Sequence, residues 1–362
     1  MNDLLTPLTF SRGPSIKNRF LLAPLTNTQS FEDGTLSEEE FKWLTMRAEG
    51  GFGLTMTCAA HVQAIGKGFP GQLGVFSDQH LEGLKRLASK IQMNDSVAIC
   101  QLHHAGMRSP KELIGKAPVC PSVNEKFNAR ALTSKEVETL RDDFIGAAIR
   151  SELAGFDGVE LHAAHGYMIA QFLSAGINKR QDDYGQTLNN RCRLLYEIID
   201  GIRKECSKDF MVGVRLSPER FDMKLQEVTI IAQELMTSGK IDFLDMSLWD
   251  VFKEPEEEEF KGKSLISYFT ELERGITRLG VAGGIRNPLD AERAISEGVD
   301  WVMLGRAGML QHDFPKRYKA NPRFSPIEVP VSRDYLLKEG LSDKFISYIS
   351  KWGFTSELNT KS

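Results

Sequence analysis

Short apolar runs alternate with longer amphipathic runs along most of the chain. The apolar runs predict eight strands, at Phe20–Leu25, Gly53–Thr57, Val97–Leu102, Gly158–Leu161, Met211–Leu216, Phe243–Ser247, Thr277–Ala282 and Trp301–Leu304. The amphipathic runs predict helices at Glu38–Glu49, Asp78–Gln92, Ser134–Ala154, Asn189–Cys206, Gln226–Ser238, Ile266–Arg274 and Pro288–Glu297, with one more after Arg306. Eight alternations of strand and helix indicate parallel βαβ units, so we expect an α/β fold, a (β/α)8 TIM barrel.

Two segments are expected to lie at opposite mouths of this barrel. Leu8–Asn18 is predicted to form a short hairpin at Gly13-Pro14 that caps the N-terminal mouth. His103–Thr133, the connection after the third strand, is long for a βα loop and contains three prolines. We expect this long loop to cover the C-terminal mouth, where it would contribute to substrate selection.

The chain length fits one barrel domain spanning residues 1–362. Residues 321–362 are predicted to be a helical tail, with helices near Asp334–Glu339 and Ser342–Ser350. The pattern does not decide whether this tail packs on its own barrel or on a neighbouring subunit, and it leaves homo-oligomer formation open.

Composition excludes several classes of function. The formal charge is −4, from 45 Lys and Arg against 49 Asp and Glu, so we expect no nucleic acid partner. The five cysteines are odd in number and form no C-x-x-C pair, which argues against a disulfide scaffold, a zinc ribbon and an iron–sulfur site. No stretch of 18 apolar residues occurs and no signal peptide is evident, so we expect a cytoplasmic protein without a membrane partner.

Chemistry in a (β/α)8 barrel belongs at the C-terminal ends of the strands. Gly283-Gly284 follows the seventh strand and Gly305-Arg306 the eighth, the pair of loops that in many barrels holds a phosphate. Paired glycines can also do no more than make tight turns. Because both pairs occur together with an arginine, they favour a phosphorylated cofactor.

His162 and His165 follow the fourth strand three residues apart. Two neutral imidazoles there can donate N–H groups to one carbonyl or nitro oxygen and polarise it. A metal site and a histidine that only holds the loop are the alternatives. No third ligand is evident at another strand end, so we expect no metal.

Tyr167 and Arg215 complete the predicted catalytic face. The Tyr167 phenol can donate a proton to a carbon, although a packed aromatic residue with a satisfied hydroxyl would give the same pattern. Arg215 ends the fifth strand, where a buried cation needs an anion such as a reduced flavin ring, or an ion pair with a carboxylate.

These residues, in this order, resemble the old yellow enzyme family of FMN-dependent ene-reductases. The similarity runs from Lys17-Asn18-Arg19-Phe20 to Leu304-Gly305-Arg306. Its most specific block is Gly155-Phe156-Asp157-Gly158-Val159-Glu160-Leu161-His162-Ala163-Ala164-His165-Gly166-Tyr167, followed by Gln171-Phe172-Leu173-Ser174.

The resemblance implies a role for each residue of the site. The isoalloxazine of FMN would meet the backbone of Ala23, Pro24 and Leu25, the hydroxyl of Thr26 and, close by, Ala59. Its pyrimidine edge would be held by Gln101 and Arg215, and its phosphate by Gly283, Gly284, Gly305 and Arg306. His162 and His165 would bind the substrate oxygen and Tyr167 would supply the proton. NADH or NADPH would reduce FMN and leave, and an electron-poor alkene would then be reduced in its place by ping-pong kinetics.

The sequence leaves some alternatives open. Thr26 is similar to the classical branch of the family, whereas the histidine pair resembles the bacterial branch. Another FMN barrel, of the dihydroorotate dehydrogenase or dihydrouridine synthase kind, would share the glycine loops but not the His-Ala-Ala-His-Gly-Tyr block. The non-enzymatic alternative is a flavin-binding protein without catalytic turnover. Neither the natural oxidant nor the preference between NADH and NADPH can be read from the chain.

Overall fold

Eight parallel strands close into a barrel in the computed structural model, which describes residues 3–355. The strands are β1 (Phe20–Leu22), β2 (Leu54–Met56), β3 (Val97–His103), β4 (Gly158–Ala163), β5 (Met211–Leu216), β6 (Phe243–Ser247), β7 (Arg278–Ala282) and β8 (Trp301–Leu304). Each strand pairs with the next, and β1 pairs with both β2 and β8, which closes the sheet. The (β/α)8 prediction is therefore confirmed.

Helices cover the outside of the barrel. They are α1 (Glu38–Glu49), α2 (Leu81–Gln92), α3 (Ser134–Leu153), α4 (Leu188–Glu205), α5 (Leu225–Thr237), α6 (Ser267–Thr270), α7 (Pro288–Ser296) and α8 (Arg306–Leu310). The predicted helix Ile266–Arg274 is reduced to the single turn α6, where only Phe269 is buried. After α8 the chain forms a second short helix, α9 (Phe314–Ala320), where one helix was predicted.

Two strand ends differ from the prediction in ways that affect the site. β1 ends at Leu22 rather than Leu25, since Pro24 has no N–H to donate to a ladder. The Ala23 N–H still donates to the Leu304 carbonyl at 3.2 Å, and the chain leaves the sheet at Pro24 and Leu25. β4 runs to Ala163, two residues beyond the predicted end, so His162 lies within the strand.

The N-terminal hairpin lies where the sequence predicts it. Leu8 and Ile16 exchange backbone hydrogen bonds of 3.0 and 2.9 Å. Phe10 packs on Trp301 and Phe243, with ring centroids 5.6 and 6.4 Å apart. The hairpin thus covers the mouth of the barrel from which β6 and β8 begin.

Residues 103–133 contain structure of their own. A short helix (Lys111–Ile114) precedes a two-stranded parallel ladder of Val119–Cys120 with Arg130–Ala131. Arg180 anchors this segment, because its guanidinium donates to the carbonyls of Pro121 and Leu132. Most of the segment therefore packs against the residues that follow β4 rather than across the cavity.

The tail packs on the barrel of its own chain. It contains α10 (Arg333–Lys338) and α11 (Asp343–Ser350), close to the predicted bounds. Phe345 meets the buried ring of Trp43 at 5.4 Å, and the Ser342 N–H donates to the Gln29 side chain at 2.9 Å. Within residues 3–355, none of the helices combines the length and the apolar character needed to cross a bilayer.

Candidate active site

Two adjoining cavities open at the C-terminal ends of the strands. The larger has a volume of about 520 Å³ and the smaller about 240 Å³. Among the predicted site residues, those that line the larger cavity alone are Thr26, Ala59, Gln101, His162 and Tyr167. Those that line the smaller cavity alone are Ala23, Arg215, Gly283, Gly284 and Gly305. Both cavities are lined by Pro24, Leu25, His165 and Arg306. The fold thus gathers every predicted site residue around two adjoining cavities that share part of their lining.

The two histidines face each other across a short gap. His162 Nε2 and His165 Nδ1 are 3.2 Å apart. The Ala164 N–H donates to His162 Nδ1 at 3.3 Å, which leaves the His162 proton on Nε2. His165 Nε2 lies 2.8 Å from the Ser247 hydroxyl, which can donate or accept. In this arrangement His162 Nε2–H donates to His165 Nδ1. A ligand oxygen that enters the gap would replace this hydrogen bond, and it would receive an N–H from each ring when the Ser247 hydroxyl donates to His165 Nε2 and the His165 proton is on Nδ1.

Burial keeps both imidazoles neutral. Loss of water lowers the pKa of His165 to about 3, with Arg215 and Arg108 adding smaller effects of the same sign. The pKa of His162 is lowered well below its usual range, again mainly by burial and next by His165. Neutral imidazoles can polarise an oxygen without giving up a proton.

Tyr167 lies beside the histidines with its ring held on several sides. Its ring centroid is 5.1 Å from that of His162 and 4.4 Å from that of His103. The Arg108 guanidinium lies 4.8 Å from the Tyr167 centroid and donates to the His165 carbonyl at 2.5 Å. These contacts fix the phenol in the same cavity as the histidine pair.

Arg215 and Gln101 lie at the base of the cavities. Arg215 is 4 % exposed, and its Nε has no partner among the described residues. Its guanidinium Nη1 donates a weak hydrogen bond to Sδ of Met303 at 3.8 Å. A plain ion pair with a carboxylate, the alternative considered from sequence, is not formed within residues 3–355. A cation in this position suits a ligand that brings negative charge.

The glycine loops leave space that side chains would fill. Gly283 has φ +144°, and a Cβ there would lie 2.8 Å from the Trp249 backbone nitrogen. Gly284 has φ +70°, a left-handed conformation that favours glycine. Together with Arg306, these two residues make a narrow basic recess suited to a phosphate.

Sequence reasoning missed part of the lining. Phe69, His103, Trp249, Met309, Phe345, Tyr348 and Trp352 also face the larger cavity. Trp249 follows the end of β6 by two residues, so the strand-end rule could have found it. Phe345, Tyr348 and Trp352 come from the tail, where no local pattern indicates a cavity. Of residues 103–133, expected to select the substrate, His103 alone lines either cavity.

Between Asp3 and Thr355, no three side chains of His, Cys, Asp or Glu come together in a manner that would hold an ion. His162 and His165 therefore have no third ligand in this part of the chain.

Fold and site define a (β/α)8 barrel that binds a flat, phosphorylated cofactor at its C-terminal mouth. Residues 3–323 match the model of the NADH:flavin oxidoreductase / NADH oxidase family. The chain belongs to this family, the old yellow enzyme family, and is an FMN-dependent NAD(P)H oxidoreductase.

Individual relatives agree with this assignment. The chain is 35% identical over 327 residues to a probable NADH-dependent flavin oxidoreductase, YqiG, of Bacillus subtilis, covering 87% of each chain. It is 31% identical to the NADH:fumarate oxidoreductase of Klebsiella pneumoniae, with 88% of this chain covering 36% of that protein. The structure of the old yellow enzyme homologue from Zymomonas mobilis superposes with a TM-score of 0.81 at 26% identity, covering 94% of this chain and 99% of that one.

The site fits the cofactor that the family implies. The unpartnered Arg215 Nε suits the electron-rich pyrimidine edge of FMN, and the glycine recess suits its phosphate. The family match ends at residue 323, so the tail residues of the cavity lie outside the part of the chain that defines the family.

Proposed function

We propose that this protein reduces activated C=C bonds, in α,β-unsaturated carbonyl or nitro compounds, by ping-pong transfer of hydride from NADH or NADPH. The observation that carries the proposal is the convergence of His162, His165 and Tyr167 on the larger cavity, which Gln101 also lines. This cavity shares His165 with the smaller cavity, which Arg215 lines. Bound FMN supplies the hydride chemistry.

The residues of the chain divide the remaining work. His162 Nε2–H and His165 Nδ1–H bind the substrate oxygen and stabilise the negative charge that develops on it. Tyr167 holds a proton on its hydroxyl for the carbon next to the one that receives hydride. Arg215 stabilises the charge that accumulates at the pyrimidine edge. The aromatic side chains of the tail help to exclude water from the reacting atoms.

The same two cavities provide the residues that would hold the cofactor. We propose that Ala23, Pro24, Leu25, Thr26 and Ala59 contact the flavin ring, and that Gly283, Gly284, Gly305 and Arg306 hold its phosphate. Pro24 and Leu25 can take this role with their backbone because β1 ends at Leu22 and the last hydrogen bond to β8 is made by the Ala23 N–H. A small electron-poor alkene is then the substrate, and we propose no nucleic acid, membrane or metal partner.

The first test is a visible absorption spectrum of the purified protein under anaerobic conditions. We expect a flavin spectrum that bleaches with NADH or NADPH and returns when cyclohexenone is added. The more effective nicotinamide identifies the coenzyme. Bleaching without reoxidation by enones or nitroalkenes would contradict the proposed substrate class and favour a flavin-binding role or another oxidant.

A further inference from the structure

Two carboxylic acids lie inside the barrel just beneath the residues proposed to hold the flavin. Glu160 on β4 is the register partner of Gly213 on β5, and Asp245 on β6 is the register partner of Arg215. Both carboxyl groups are fully buried. Gly280 on β7 makes room for them, since a Cβ there would lie 2.2 Å from Asp245 Oδ1.

Each carboxyl group has one oxygen with a donor and one without. The Gln101 amide donates to Glu160 Oε1 at 2.6 Å, and the Trp301 indole donates to Asp245 Oδ1 at 3.0 Å. Glu160 Oε2 and Asp245 Oδ2 have no partner among the described residues. Two buried acceptors without donors are costly. The side chains of Glu160 and Asp245 lie close enough for one to hydrogen-bond the other once a proton is present, and one proton held between them would satisfy both oxygens.

The charges around the two acids fit a single shared proton. The pKa of Glu160 is raised well above its usual range, first by burial and then by Asp245, while Arg215 and Gln101 act in the opposite direction. Arg215 forms no hydrogen bond to either carboxyl group. Two full negative charges would repel each other in this dry interior, and one negative charge suffices to balance Arg215.

We propose that Glu160 and Asp245 share one proton, forming an acid pair of single negative charge whose fixed charge balances Arg215 and sets the reduction potential of the flavin. Hydride transfer brings two electrons and one proton, so the bound cofactor gains negative charge when it is reduced. Because the acid pair keeps its proton, it places one negative charge near the pyrimidine edge of the flavin, whereas two ionised carboxylates would place two there. The inference rests on the proposed flavin position beside Arg215 and Gln101, but not on the identity of the oxidant.

The test measures the midpoint potential of the flavin at pH 7 by equilibration with a reference dye. The variants are Glu160→Gln, Asp245→Asn and the double variant. Either single change replaces the shared proton by an amide and keeps one negative charge, so we expect a potential close to that of the wild type. The double variant loses the last negative charge, and we expect its potential to rise by about 30 mV or more, a tenfold change for a two-electron couple.

Other outcomes overturn the proposal. If each single variant raises the potential and the two effects add, both acids are ionised. If the double variant equals the wild type, both acids are neutral. These potentials are measured without any alkene, so a protein that fails to reduce enones can still pass this test.

A second measurement covers variants that fail to fold or to retain FMN. The infrared difference spectrum of the wild-type protein, reduced minus oxidised, should contain the carbonyl stretch of a neutral carboxylic acid that shifts in D2O. Absence of this band from the wild-type spectrum would overturn the shared proton without the use of any variant.

Discussion

The hydroxyl of Ser247 lies 2.8 Å from His165 Nε2 and joins the end of β6 to the histidine pair. When the Ser247 hydroxyl donates to Nε2, the His165 proton is on Nδ1, from which it can bind a substrate oxygen that replaces the hydrogen bond between His162 and His165. Ser247 is thus a positioning residue for the donor pair, and sequence analysis did not identify it.

Replacement of Ser247 should weaken substrate polarisation. We expect Ser247→Ala to lower kcat/KM for enones about tenfold, in line with one lost hydrogen bond of about 1.4 kcal/mol. Ser247→Thr, which keeps the hydroxyl, should retain most of the activity. Steady-state kinetics with FMN content measured in each variant separates this effect from loss of cofactor. Equal activity of Ser247→Ala and wild type would show that Ser247 does not set the tautomer.

Removal of the Tyr167 hydroxyl should separate the two halves of the reaction. We expect Tyr167→Phe to slow reoxidation by an enone about 100-fold or more, since a general acid contributes at least that factor. Reduction by the nicotinamide should stay within about twofold, because this step needs no proton from the phenol.

Anaerobic stopped-flow absorbance measures the two rates in turn. Tyr184→Phe is a matched control, because Tyr184 donates to Glu197 and lines neither cavity. Equal slowing of both half-reactions in Tyr167→Phe would assign the residue a structural role.

The glycine recess predicts a difference between two Gly→Ala changes. At Gly283 an added Cβ would lie 2.8 Å from the Trp249 backbone, in a conformation that alanine rarely adopts. At Gly146, inside α3, the nearest atom is the end of the Arg150 side chain at 3.5 Å. We expect Gly283→Ala to weaken FMN binding by about tenfold or more, and Gly146→Ala to leave it unchanged and to stabilise the helix slightly.

Fluorescence titration of the apoprotein with FMN gives both dissociation constants. Unchanged affinity in Gly283→Ala would show that this loop tolerates a side chain and does not closely contact the cofactor.

His80 predicts a pH-dependent contribution to stability. Burial lowers the pKa of His80 to about 4, and neither ring nitrogen has a hydrogen-bond partner among the described residues. The unfolded chain binds a proton here near pH 6.5, whereas the native protein does so only near pH 4. Between these values the unfolded state binds more protons, so the free energy of unfolding falls as the pH falls.

Replacement of His80 by leucine removes this contribution. The free energy of unfolding of His80→Leu relative to wild type should therefore rise as the pH is lowered from 6.5 to 4, by up to about 1.4 kcal/mol per pH unit. Urea titrations of both proteins at several pH values measure the difference. A difference that does not change with pH would mean that His80 binds its proton equally well in the native and the unfolded protein.

Much of the architecture follows from local patterns. The eight strands could be predicted as short apolar runs because nearly all of their residues are buried. Most of the helices could be predicted because each buries one face, which gives a helical period in consecutive residues. The candidate site could be predicted in large part because parallel strands of a barrel bring their C-terminal ends to one mouth. Residues at or shortly after the C-terminal end of a strand, such as His162, Tyr167 and Gly283, are therefore neighbours in space whatever their separation along the chain.

Features that depend on contacts between distant segments of the chain were decided only by the tertiary structure. Phe345, Tyr348 and Trp352 reach the cavity because Phe345 packs on Trp43, a contact across about 300 residues that no periodicity encodes. Glu160 and Asp245 are buried together because of the register between β4, β5 and β6, and this register cannot be predicted from the sequence of each strand alone. The sequence by itself thus determined the barrel and the strand-end chemistry, while side-chain packing between distant segments decided the cavity wall, the tautomers and the buried charges.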